Sequence, residues 1–343
     1  MPADSHPTHL DPRLLVVAAA MLWGTTGTAR ALGPDGASPT AVGAARLVLG
    51  GACLAALVWR LGWLGRLGRS GDEPGTATEA DARPGSGSGA GAGGPGTRGP
   101  GTGGPGVGRM RGGLIVAAGA MAAYQPLFFG GVARTGVAVG TMVGIGSAPV
   151  FAGLLGTVVR GERPDRRWLA ATALALAGTS LLVGTGDRDD VDAVGVALAL
   201  GAGASYAVYV AGSKVLLDAG RRPETVVAEV FGLAAVALAP VAVAAGLGPL
   251  VSWGGALTVA HLGLITVVVA YLLFGRGLAG VGVGTAGTLT LAEPATAGVL
   301  GIVVVGERPA PSTAAGLALV AAGLAVLVFR TQVRRSSAGA PVA

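Results

Sequence analysis

The sequence predicts an all-α integral membrane protein, with ten transmembrane helices forming two inverted five-helix repeats. Three observations predict it. The 343 residues are 51% hydrophobic and only 12% charged, about half the charged share of an average soluble domain. The apolar residues gather into ten runs, most of them close to the ~20 residues a helix needs to cross the hydrocarbon core. Finally, the stretch from Phe129 to Val183 returns from Phe274 to Val328, in register at an offset of 145 residues.

The duplication is carried by more than one motif. Gly161-Glu162-Arg163-Pro164 recurs as Gly306-Glu307-Arg308-Pro309. Around it, Gly130, Gly153, Gly156 and Gly178 fall on Gly275, Gly298, Gly301 and Gly323, and Pro149 falls on Pro294. One helical unit duplicated inside a membrane protein explains this register.

The elements follow in order. Residues 1–13 form a polar tail. The first helix covers 14–32; a signal peptide is the rival, but the apolar run exceeds the roughly 7–15 residues of an h-region. The second helix covers 39–59 and contains Arg46. Residues 60–112 are rich in Gly, Pro, Ser, Thr and Arg without apolar period, which predicts a disordered linker with no core to bury. Eight further spans follow at 113–133, 137–159, 167–184, 193–213, 225–246, 254–275, 281–305 and 310–329, with tight turns at 133–137 and 275–281. Residues 330–343 are a second polar tail. The runs are too long, and lack the period-two alternation, for spanning β-strands.

Charge placement orients the bundle. The net charge is +6, and Lys214 is the single lysine among 24 basic residues. The arginines cluster between apolar runs, which makes topology rather than nucleic acid the reason for the basic balance. With both termini cytoplasmic, the inner loops hold most of them, including Arg60, Arg66, Arg160, Arg163, Arg166, Arg167, Arg221, Arg222 and Arg276. The outer side keeps Arg30, Arg134, Arg188 and Arg308, with the acidic loop Asp187–Asp192. Five helices separate the duplicated units, so one unit is upside down relative to the other. Gly161–Pro164 then lies at the cytoplasmic face and Gly306–Pro309 at the outer face.

These residues resemble the EamA type of the drug/metabolite transporter superfamily. The resemblance rests on Leu22-Trp23-Gly24, Arg46, the segment from Pro149 to Gly161-Glu162, its partner from Glu293-Pro294 to Gly306-Glu307, and Gly178 with Gly323. It divides the chain into an EamA-like repeat at 14–184 and a second at 193–329. Two departures stand out: the insertion at 60–112, and Ser205-Tyr206 where a tryptophan is common. The resemblance implies transport of small metabolites across the cytoplasmic membrane, often export. Members handle amino acids, nucleosides, sugars and drugs.

Several residues are candidates for substrate binding or coupling. Glu293 lies midway along the ninth span, directly before Pro294, where a carboxylate is costly unless it faces a cavity or a partner. Burial would favour its protonated form, so a proton-carrying role competes with a structural hydrogen bond. Arg46 and Glu229 are counterparts by repeat order. They read either as an anion-binding pair or as an internal ion pair locking two helices. His261 titrates near neutrality, though a satisfied polar contact is the plainer reading. Trp23, Tyr124, Gln125, Tyr206, Tyr209 and Tyr271 are aromatic or polar-tipped residues inside spans. Trp59, Trp63, Trp168 and Trp253 near span ends read as interface anchors. Pro126, Pro149, Pro240 and Pro294 read as helix interruptions.

The repeated tetrapeptide has a structural reading. Gly161 and Gly306 end a helix in the left-handed region, Pro164 and Pro309 open the next, and Glu162 and Glu307 favour its dipole. Gly282 to Gly287 matches GxGxxG but lies inside an apolar span, so it reads as helix packing, as do Gly140 with Gly144 and Gly280 with Gly284. No phosphate loop is present, Cys53 is alone, and the three histidines are scattered. The expectation is a secondary transporter, possessing no cofactor or metal and not an enzyme, which exports amino-acid-like or drug-like metabolites by alternating access with protons as the candidate coupling ion. A homodimer stays open. The rivals are a non-transporting scaffold or receptor subunit and a lipid-modifying membrane enzyme.

Overall fold

A computed structural model describes residues 10–34, 36–67, 107–183, 192–306 and 311–329. All the regular structure among them is helical. The ten helices are α1 (Pro12–Ala31), α2 (Pro39–Leu67), α3 (Met110–Gly136), α4 (Val139–Arg160), α5 (Arg166–Val183), α6 (Ala193–Asp218), α7 (Pro223–Ala244), α8 (Trp253–Ala279), α9 (Val283–Val305) and α10 (Pro311–Val328). Among the described residues, nine are long and apolar enough to cross a membrane; α5 has the length but opens on two arginines.

The predicted boundaries hold to within a few residues, with one difference. Helix α2 runs on to Leu67, and helical backbone resumes at Val107, so 60–67 and 107–112 are helical rather than linker. The rest of that linker, the two tails beyond 10–329, and Glu307, Arg308 and Pro309 lie outside the described residues.

Local chemistry sets the breaks. Val107–Arg160 is one helical stretch divided at Gly136, where φ is 79° and ψ 163°, a conformation that glycine alone adopts without strain. Helix α9 pauses at Thr290 and Leu291 and resumes at Ala292. The cause is Pro294, whose ring would clash with the carbonyl four residues back. That carbonyl belongs to Thr290, and it accepts from the Glu293 amide at 2.9 Å instead. Pro126, Pro149 and Pro240, read as interruptions, sit inside helices that continue past them. Within α8, residues His261–Val269 form a π-helix, and Gly301–Val305 form another at the end of α9.

Small residues let the helices close on one another, which is how membrane helices gain packing without a hydrophobic drive between them. Gly24 of α1 lies against the Glu293 carbonyl and Thr296 of α9; Gly51 of α2 lies against the Phe231 backbone of α7. The α5–α10 contact is reciprocal. Gly178 meets Gly316 and Val320, while Gly323, its equivalent at the 145-residue offset, meets Ala171 and Ala175, the equivalents of Gly316 and Val320.

Ionic contacts sort the helix ends onto two faces. On one, Arg160 pairs with Glu162 and Asp218, Lys214 with Asp218, Arg221 with Glu229, and Arg276 with Glu224. Arg13 and Arg167 donate there to the last carbonyls of α10, at Leu327 and Val326. On the other face, Arg134 at the end of α3 pairs with Asp192 before α6 at 2.9 Å. The Arg134 guanidinium holds the Asp192 carboxyl below its ordinary range. This contact therefore contributes at neutral pH and is lost as pH falls through that lowered value. The Glu162 carboxylate accepts from the Val283 amide at 3.0 Å, which puts the end of α4 beside the start of α9. Gly306, at the far end of α9, is a full helix away.

A Cβ at Gly178 would stand 2.6 Å from the Gly316 carbonyl and 2.7 Å from the Val320 amide, whereas one at Gly119 meets nothing within 4 Å. Gly178→Ala is expected to cost about 1–3 kcal/mol and Gly119→Ala to leave stability unchanged. Thermal unfolding of the two purified variants in detergent checks the difference.

Candidate functional site

The packing leaves a cavity of about 440 Å³ in the half of the bundle that ends at the Arg134–Asp192 face. Its walls come from the second half of α1, the first half of α2, the second half of α3, the first half of α4 and the second half of α9, with Leu182 of α5 and Leu262 of α8. Arg30 and Pro39, at helix ends, place its mouth at that face. Trp23, Arg46, Tyr124 and Glu293 line its inner end, midway through the bundle.

Each of these side chains is positioned by its helix. Glu293 follows the pause in α9 that Pro294 enforces, and it keeps part of its surface free toward the cavity. Arg46 faces it from α2. The two are within electrostatic reach, yet no ion pair within 4 Å joins them, and the Arg46 Nε is buried with no hydrogen-bond partner. Trp23 is 6% exposed and donates its indole N–H to the Thr266 carbonyl at 2.9 Å. That carbonyl belongs to the π-helix of α8, where the wider turn displaces backbone from the regular ladder. Tyr124 stacks on Phe128, with ring centroids 5.6 Å apart.

Between this inner end and the ion-pair face stands a block of rings. Tyr206, Tyr209, Phe231, Tyr271 and Phe274 pack edge to face or tilted, with Tyr209 and Phe274 stacked, and Trp23 joins them through Tyr271 at 4.7 Å. Tyr209, Phe231 and Phe274 are almost fully buried. Beyond the rings, the Glu162–Val283 contact and the Arg160, Asp218 and Lys214 cluster join the helix ends. A smaller cavity of about 180 Å³ lies there, beside Glu162, Pro164 and Trp168.

The candidates read from the sequence thus divide. Trp23, Arg46, Tyr124, Glu293 and Pro294 share the cavity wall. Tyr206, Tyr209 and Tyr271 form the ring block. Gln125 is buried behind the wall, its Oε1 unpartnered, next to Gly43. His261 is 2.9 Å from the Thr25 hydroxyl, the plainer of its two readings. Glu229 does not meet Arg46 in either arrangement foreseen, because Arg221 takes it at 2.6 Å on the ion-pair face. Pro149 lies against Gly287 at the α4–α9 contact. Gly161 and Gly306 have the expected positive φ, 66° and 81°. Trp168, read as an interface anchor, is instead wedged over Gly153 and Gly284. Sequence reading missed Arg30 as a cavity residue. Its position at the end of a span made it look like a loop arginine.

An all-helical bundle of long apolar helices around a mostly apolar cavity, with a few charged groups among its lining residues, defines a multi-pass membrane protein built to hold a small solute. Comparison with known proteins makes the class definite. The EamA-like transporter family matches residues 193–329. A Bacillus subtilis (strain 168) protein, "Uncharacterized transporter YwfM", is 38% identical over 314 residues, spanning 92% of this chain and 92% of that one. A solved crystal structure shares the fold at a TM-score of 0.68 and 20% identity, covering 94% of this chain and 98% of its own. The chain belongs to the EamA-like transporter family of the drug/metabolite transporter superfamily, and is a membrane transporter.

Because Thr141 lines the cavity while Ser213 is 4% exposed behind the rings, their cysteine variants should react differently. In a Cys53→Ser background, Thr141→Cys is expected to label with a water-soluble maleimide at least about tenfold faster than Ser213→Cys, which reacts only on local opening. Rates followed by mass spectrometry check it.

Proposed function

We propose that the chain is a secondary transporter that exports small metabolites, amino-acid-like or drug-like, across the cytoplasmic membrane by alternating access, with Glu293 as the proton carrier. The observation that carries this reading is the cavity itself: about 440 Å³, reaching one face, with a carboxylate and a guanidinium at its inner end. A scaffold or receptor subunit has no need of such a space, and a carboxylate at that depth is costly without a use.

The ion-pair face carries the larger share of arginine, so the positive-inside rule makes it cytoplasmic and turns the cavity mouth outward. Both termini are then cytoplasmic. The ring block and the Glu162–Val283 contact close the cytoplasmic side in this state. Two observations support inverted repeats. The α5–α10 contact exchanges partners at the 145-residue offset, and Gly161 and Gly306 sit at opposite ends of α9's length. Repeats related in this way can trade conformations, closing the mouth as the other side opens. Glu293 would then meet each compartment in turn and carry a proton between them.

The test uses the purified full chain in liposomes with a metabolite panel. At least one metabolite is expected to exchange in counterflow and to accumulate under an imposed pH gradient. Glu293→Gln is expected to keep counterflow and lose most of the gradient-driven accumulation. Full accumulation in that variant contradicts the proton role, and absence of counterflow for every metabolite contradicts transport.

A further inference from the structure

The cavity holds more positive than negative charge. Arg30 and Arg46 both line it, and Glu293 is the carboxylate among its described lining residues. Elsewhere in the bundle Arg160, Lys214 and Arg221, which are half-buried or buried, each pair with a carboxylate, as do the more exposed Arg134 and Arg276, while Arg60, Arg111, Arg163 and Arg166 are exposed at or near helix ends. Arg30 and Arg46 have no such partner among the described residues, and the Arg46 Nε is buried and unbonded. Buried polar groups are seldom left so without a reason. A guanidinium presents its donors in a fork that suits a two- or three-oxygen anion. The remaining wall is apolar and ringed, through Trp23, Tyr124, Phe128 and Phe129.

Resting on the transport reading above, we infer that the substrate is an organic anion with a ring or similarly flat apolar body, and that it travels together with a proton, so that export runs down the anion's own outward gradient and an inward proton gradient opposes it. The anionic group docks between Arg30 and Arg46, and the body lies against the aromatic wall. The coupling sign follows from charge. Arg46 is the cation facing Glu293, so an anion that engages Arg46 competes with the ionised Glu293 carboxylate for the same positive charge. Protonating Glu293 removes that competitor. Anion and proton therefore favour each other's binding, and linkage makes the effect mutual. A cationic substrate would reverse the sign and give exchange.

The groups that face Glu293 are Arg46 of α2, Tyr124 of α3, Tyr206 of α6 and Tyr271 of α8, with Arg30 of α1 on the far side of Arg46. Phenols and guanidiniums do not titrate between mildly acid and mildly alkaline pH. His261 is held by Thr25 and is not among the residues lining the cavity.

The test measures binding of three probes to the full chain in detergent by calorimetry. Toluenesulfonate is always anionic, benzyltrimethylammonium always cationic, and benzyl alcohol neutral, so any pH dependence comes from the protein. Toluenesulfonate is expected to bind at least about tenfold more tightly than either other probe, and about tenfold more tightly in mildly acid than in mildly alkaline buffer, with uptake of a proton. Arg46→Ala is expected to abolish the preference and Arg46→Lys to keep part of it, while Glu293→Gln binds the sulfonate with no pH dependence. Preference for the cation, binding of none of the probes, proton release on sulfonate binding, or pH dependence that survives in Glu293→Gln would each overturn the inference. If metabolites still exchange in liposomes while the cation is preferred, this inference fails alone and the transport reading stands.

Discussion

The Glu162 carboxylate on the Val283 amide is the contact on which the rest of this arrangement turns. It joins the end of α4 to the start of α9, the helix that carries Glu293. Carboxylates at helix N-termini meet unsatisfied N–H groups and the positive end of the dipole, a gain of up to about 2 kcal/mol when partly buried. Glycine makes the contact possible. A Cβ at Gly156 or Gly282 would come within 2.7 or 2.8 Å of the carboxylate oxygen. Arg160 bonds the same carboxylate and also pairs with Asp218, which Lys214 shares, so the tie extends to the end of α6. One face of the bundle is thereby drawn together while the cavity lies in the other half.

The second constraint is the lipid itself. Backbone groups inside a bilayer must be satisfied within the protein, so irregular backbone is informative where it occurs. Two such places border the cavity. The pause at Thr290 and Leu291 sets Glu293 at the wall, and the π-helix of α8 offers the Thr266 carbonyl to Trp23. Trp23 in turn touches both the cavity and the ring block. A change in the cavity that moved Trp23 would act on α8 and on the rings at once.

Much of the fold was legible in the sequence because bilayer crossing leaves a strong length and composition signal. The ten spans, the turn near Gly136 and the left-handed ends at Gly161 and Gly306 follow from it. Half of the site was legible too. Glu293 beside Pro294, Arg46, Trp23 and Tyr124 stand out as polar or aromatic residues in apolar runs, and all four share one wall. What sequence order could not give was depth and facing. Arg30 looks like a loop residue until the helix before it is seen to line the mouth. Glu229 looks like a partner for Arg46 by repeat order, but it sits within the first two turns of α7, where Arg221 reaches it. Trp168 has the position of an interface anchor, yet the glycines at 153 and 284 open a slot that takes its ring. The duplicated motif was readable because both copies end a helix on a left-handed glycine, Gly161 and Gly306.

The most direct measurement is the sidedness of the two copies of that motif. Single cysteines at positions 163 and 308, in a Cys53→Ser chain expressed in cells, can be labelled with a membrane-impermeant maleimide before and after permeabilisation. Two inverted repeats predict that 308 reacts from outside intact cells and 163 only once the membrane is opened. Labelling of both from the same side would contradict the account.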